Sequence, residues 1–123
     1  MRTLLASILL LAALPGHASP LCHVIYGGEN FEVPVEETAD PYRVPSRAIG
    51  RYCECKAVYV PAGQPHAVLS LYVYGMASGE PVLIHQAKFA PPLHDQASHG
   101  FTGFQYVYEP SKSSEFQYWC EMR

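Results

Sequence analysis

The sequence lacks the signatures of common catalysis. It contains no Gly-x-Ser-x-Gly elbow, no His-Glu-x-x-His and no glycine loop of the phosphate-cradling kind. Hydrolase and nucleotide chemistries of the familiar types therefore have no anchor in it. A glycosidase needs only two carboxylates at a set separation. The candidates Glu109, Glu115 and Glu121 all flank the last hairpin, where charged residues ordinarily form the solvent face of an edge. The expectation is a protein that is not an enzyme and carries no cofactor.

Positive charge is also scarce. Eight Lys and Arg stand against eleven Asp and Glu, for a formal charge of −3. That balance argues against nucleic acid and anionic membrane surfaces as partners. Long apolar runs are confined to the start. Arg2, the apolar stretch Leu4 to Leu14 and the break Pro15-Gly-His-Ala18 have the layout of a secretory signal peptide cleaved after Ala18. The run is well short of the roughly 20 residues needed to span a bilayer, and no later segment is a candidate span. The sequence thus divides into a signal peptide, residues 1–18, and one exported domain, residues 19–123, in a periplasm or outside the cell. A domain of that size buries roughly 65% of its unfolded surface, enough for a single core with little margin.

Helical periodicity is missing as well, and no repeat or low-complexity tract appears. Alternation takes its place. Arg51 to Val60 puts Cys53, Cys55, Ala57 and Tyr59 on one face; His66 to Met76 puts Ala67, Leu69, Leu71 and Val73 on one face. Between them Pro61-Ala-Gly-Gln-Pro65 is turn chemistry. This hairpin is the expected centre of the core. Further strands are expected at Leu21–Tyr26, Phe31–Val35, Pro81–Ala90, Gly103–Glu109 and Glu115–Glu121. Seven short strands and no helix predict a small, disulfide-stabilised antiparallel β-sandwich, with a small β-barrel as the alternative. Two long connections, Glu36–Gly50 and Pro91–Gly103, interrupt the pattern.

The four cysteines all lie beyond the signal peptide, where an even count implies disulfides. Cys53 and Cys55, two apart on one strand, sit at or past the bridging limit, with Cα atoms roughly 6.5–7 Å apart. A Cys22–Cys120 bridge would tie the first strand to the last and close a loop of about 100 residues, worth about 4–5 kcal/mol in the chain-entropy model. The rival scheme joins Cys22 and Cys120 separately to Cys53 and Cys55. Beside Glu54, the Cys53–Cys55 pair lacks the electropositive setting of a reactive thiol, so its expected role is structural.

What is abundant is tyrosine, nine residues against one tryptophan. Tyr72 and Tyr74 point opposite to Leu69, Leu71 and Val73, so they stand on the outer surface if those aliphatics form the core. Exposed tyrosines make good contact surfaces for proteins or sugars; the plainer role is cross-strand packing that stiffens the sheet. Phe101, between two glycines, is expected at an exposed loop tip, or else folded back over the core edge. Arg43 and Arg47 lie in the first long connection, where arginines pair with nearby carboxylates or answer an acidic partner. The expected binding surface is accordingly Tyr72, Tyr74, Phe101, Arg43 and Arg47. The function it implies is a non-catalytic protein-binding module that inhibits or neutralises another enzyme or toxin. The alternative is a small-ligand protein: a saccharide stacked on the tyrosines, or a metal held by His94, Asp95 and His99.

Overall fold

The computed structural model describes residues 18–96 and 98–123. The expected signal peptide, apart from Ala18, lies outside the described residues. The rest forms two four-stranded antiparallel sheets. In chain order the strands are β1 (Pro20–Tyr26), β2 (Glu29–Pro34), β3 (Arg47–Ile49), β4 (Cys53–Val60), β5 (Val68–Gly75), β6 (Val82–Phe89), β7 (Gln105–Glu109) and β8 (Ser114–Met122). One sheet, in the order β2-β1-β8-β7, is built from the two ends of the chain; the other, β3-β4-β5-β6, is built from its middle. This is the β-sandwich expected from the alternation, and the sheets do not close into a barrel. Among the described residues no helix is long and apolar enough to cross a membrane.

Local chemistry explains the turns. Gly27 and Gly28, at φ 60° and 78°, join β1 to β2, the two-residue connection with positive φ that suits the twist of a hairpin. Pro61 and Gly63 place the β4–β5 turn where the sequence predicts it. One strand was not legible. Arg47–Ile49, expected inside a loop, pairs with Cys53–Cys55 and extends the second sheet. Its three residues are too few to show alternation, and Gly50 at φ 60° reverses the chain directly into β4.

The core lies between the sheets. Cys22, Val24, Phe116, Tyr118 and Cys120 face Cys53, Cys55, Leu69, Leu71 and Val73 across it. Each fully buried Phe or Leu side chain stabilises the fold by about 1.5–3 kcal/mol. Cys22 and Cys120 stand directly opposite each other on β1 and β8 and form the disulfide. Cys53 and Cys55 are buried free thiols, so the rival two-bridge scheme does not occur. A disulfide joining the strands near the two chain ends is compatible with an exported protein.

Buried polar groups at two places link the strands. Glu109, 1% exposed, accepts hydrogen bonds from the backbone amides of Ser111 (2.9 Å) and Lys112 (2.7 Å), closing the β7–β8 turn. It does not form part of a solvent-facing edge, as the sequence suggested. Ser114 Oγ and Tyr26 Oη are hydrogen-bonded at 2.9 Å, linking the start of β8 to the end of β1.

Candidate functional site

The cavity between the sheets beside Cys55 and Phe116 measures about 20 Å³, room for one water. On the outside, the face of the second sheet formed by β4, β5 and β6 carries a larger groove. Its side chains follow from the alternation. Glu54, Lys56, Val58 and Val60 point outward from β4, and Val68, Ser70, Tyr72 and Tyr74 from β5, because Cys53, Cys55, Leu69, Leu71 and Val73 point inward. On β6, Gln86 and Lys88 point the same way. A register shift at Val73/Tyr74 then sets Leu83 opposite Tyr74, leaving Ile84 to pack against Gly75.

Tyr72 and Tyr74 are both half-buried, with ring centroids 6.4 Å apart and planes inclined by 18°. Lys56 Nζ lies 5.4 Å from the Tyr72 centroid, within range of a cation–π attraction. Beside this pair runs a groove of about 800 Å³. Its floor is Val58, Val60, Val68 and Ser70; its walls are the loop at Ala39–Tyr42 and the turn at Gln64–His66. The loop is held in place at several points. Thr38 N donates to Tyr59 O at 2.9 Å, Asp40 N donates to Thr38 Oγ1 at 3.0 Å, and Asp40 caps the turn Pro41–Arg43 through Tyr42 N. Tyr42 projects from this wall with 95% of its surface exposed.

The other expected contact residues separate from the tyrosines. Arg43 pairs with Asp40 at 3.0 Å. Arg47 donates to the Glu32 carbonyl, joining β3 to β2 across the sheets. Both line a neighbouring groove of about 370 Å³ around the edge of β4, and Lys56 is shared between the two grooves. Phe101 does not stand at an exposed loop tip and so leaves the expected contact surface; it is folded back over the core, the other placement its position allowed. It is 7% exposed and packs edge-on to Phe89, with centroids 5.8 Å apart. Gly100, at φ 61°, lays the backbone against β8, Phe101 N donates to Cys120 O at 2.9 Å, and the ring turns into the core.

His94, Asp95 and His99 do not converge either. Asp95 Oδ1 accepts from Met122 N at 3.0 Å, fastening the loop to the end of β8. The His99 ring meets Phe104 and Trp119 edge-on at 5.1 and 5.6 Å. Among the described residues no three His, Cys, Asp or Glu side chains are grouped to hold a metal ion.

The first sheet carries a feature the sequence did not single out. His23 stacks on Trp119 at 4.1 Å, and the row of rings continues through His99 and Phe104 to Tyr106. Tyr106 and Tyr108 are 65% and 62% exposed. The signal was present in the cysteines. If Cys22 faces Cys120 on antiparallel strands, His23 must face Trp119.

The two buried thiols do not suit nucleophilic chemistry. Burial pushes the Cys55 thiol up to about 11 and raises Cys53 as well. A thiol kept protonated is a poor nucleophile. Comparison with protein-family models, with curated proteins and with solved structures finds no match.

Proposed function

We propose that this chain is an exported, non-catalytic protein-binding module that inhibits or neutralises another enzyme or toxin, and that it docks through the outer face of the β3–β6 sheet. The observation that carries the reading is the groove beside the stacked Tyr72–Tyr74 pair, with a largely valine floor and walls of mixed polar and apolar residues. Paired tyrosines offer a large, rigid contact area at low entropic cost, together with hydroxyls for hydrogen bonding. The held loop at Thr38–Arg43 keeps the groove preformed, which reduces the ordering cost of association. Export, to a periplasm or beyond the cell, fits the predicted leader and the disulfide.

The test is capture of a stoichiometric protein partner from envelope and secreted extract by residues 19–123, followed by alanine variants. Tyr72→Ala and Tyr74→Ala are expected to weaken the complex by more than about 1 kcal/mol each with the fold intact. Unchanged affinity would remove this face from the reading.

A second reading, a saccharide-binding module, has its own observation. The rings of Trp119, Phe104, Tyr106 and Tyr108 share the outer face of the first sheet, with Gln117 paired opposite Tyr106. Aromatic rings beside amide groups suit sugar stacking and hydroxyl recognition. A rise in melting temperature with soluble glycans and no protein present would favour it.

A further inference from the structure

The groove on the β3–β6 sheet differs in charge from the chain as a whole. In a protein of net charge −3, the basic side chains lining it are Lys56, Lys88 and His66; no carboxylate lines it, and Asp40, in the wall loop, is paired with Arg43 at 3.0 Å. Glu54, the one carboxylate on this face of β4, β5 and β6, stands opposite Tyr74 and does not line the groove. An apolar floor with lysines on both sides is complementary to a segment that is acidic and aliphatic together.

The register sets the spacing. Lys56 pairs with Tyr72 on one side of β5, and Lys88 pairs with Ser70 on the other. The two lysines are therefore two strand spacings apart and offset by two residues, a diagonal of roughly 12 Å between backbones. In an extended polypeptide, residues i and i+4 lie on one face roughly 13 Å apart, with residue i+2 between them on the same face. Acidic side chains at i and i+4 thus match Lys56 and Lys88, and the side chain at i+2 falls midway between them over β5, between Ser70 and Tyr72, where an aliphatic group packs against the Tyr72 ring.

We propose that the groove takes an extended segment of a partner protein with the pattern acidic-x-aliphatic-x-acidic. This rests on the reading of the chain as a protein-binding module and supplies the chemistry its partner presents.

The experiment uses residues 19–123, oxidised and isotope-labelled, at low ionic strength. Two acetylated heptapeptides are titrated in turn, followed by amide chemical shifts. Both have valine at the fourth position and serine elsewhere; one has glutamate at the second and sixth positions, the other lysine. The expected result is a saturable shift of the Lys56, Ser70, Tyr72 and Lys88 amides with the glutamate peptide and none with the lysine peptide. The double variant Lys56→Glu with Lys88→Glu is expected to lose about tenfold in affinity for the glutamate peptide and to gain binding of the lysine peptide. No shift with the glutamate peptide, equal binding of both, or shifts on another face would overturn the proposal. So would tighter binding of decanoate at the same amides, which would make the groove a site for small acids. These outcomes leave the broader reading standing if the captured partner still depends on Tyr72 and Tyr74. If it does not, the reading itself fails.

Discussion

His85 Nε2 and Tyr118 Oη lie 2.7 Å apart, a hydrogen bond that joins β6 of one sheet to β8 of the other across the core. The rings also meet edge-on at 5.4 Å. Burial pushes the Tyr118 hydroxyl up to about 12, so it stays protonated through the physiological range, and burial lowers the pKa of His85. Above pH 6.5 the imidazole is neutral in both folded and unfolded chains and costs nothing. As pH falls below 6.5 the unfolded chain takes up the proton first, and stability declines until the depressed folded pKa is passed. The expected outcome is a melting temperature that drops from pH 7 towards pH 5, with a shallower slope in His85→Gln. Tyr118→Phe should cost about 1 kcal/mol at neutral pH, because it leaves a half-buried ring nitrogen without its partner. Chemical denaturation at several pH values checks both, and parallel slopes in wild type and His85→Gln would refute the assignment.

Glu109 titrates with the opposite sign of shift. Enclosure pushes its carboxyl up, but the backbone amides of Lys112 and Ser111 outweigh it and leave the pKa below the ordinary value of 4.5. A carboxylate with a depressed folded pKa stabilises the fold above about pH 4.5 and ceases to do so as pH falls through the folded value. Glu109→Gln keeps the shape and one acceptor but removes the charge. It is expected to be less stable than wild type at pH 7, with the difference shrinking as pH falls through the folded pKa of Glu109. A constant difference across that range would show that the charge is not what holds the turn.

Alternation was enough to read the Cys53–Gly75 hairpin, because Cys53, Cys55, Leu69, Leu71 and Val73 each repeat at period two over a long strand. It was enough for Tyr72 and Tyr74 too, since a residue beside an inward leucine must point outward. Three kinds of feature escaped it. Arg47–Ile49 pairs through backbone groups that carry no side-chain signal. Glu109 is a charged residue at a strand end and Phe101 sits in a glycine-bounded loop, so alternation places neither inside; local amide donors and the backbone at Gly100 do. The groove is a tertiary object: its floor belongs to β4 and β5 and its walls to Ala39–Tyr42 and Gln64–His66. Lys56 and Lys88 could be assigned to that face by alternation, but only the sheet order shows that they flank one strand.

The cysteines divide into one stabilising pair and two silent thiols. Cys22 and Cys120 are separated by 98 residues, so the bridge restricts the unfolded chain over almost the whole domain. Cys22→Ala with Cys120→Ala is expected to cost about 4–5 kcal/mol in the chain-entropy model. The loss should appear as a lower denaturation midpoint with the sheet order retained. In the native oxidised protein, Cys53 and Cys55 should resist a thiol reagent at pH 8 and react only at the rate of unfolding, since both are buried. Rapid labelling of either thiol under native conditions would contradict their placement.

Gly100 and Phe101 give the last test, and it separates a core role from a contact role. A Cβ at Gly100 would fall 2.0 Å from the Cys120 carbonyl oxygen, and the backbone there, at φ 61°, disfavours any L side chain. The neighbouring atoms are main chain of β8 and cannot rotate away. Gly100→Ala is therefore expected to destabilise the protein by about 2 kcal/mol or more, well above the usual cost at a tolerant glycine. Phe101→Ala should cost about 3–5 kcal/mol, as expected for a large aromatic removed from a packed site. Both losses should be read by denaturation, with no specific effect on a captured partner once the variants are compared below their melting temperatures. If Phe101→Ala instead left stability within about 0.5 kcal/mol and weakened binding, the ring would belong to the contact surface that the loop glycines suggested. The hydrogen bond from Phe101 N to Cys120 O is the geometry that argues against that result, because it fixes the backbone with the ring turned inward.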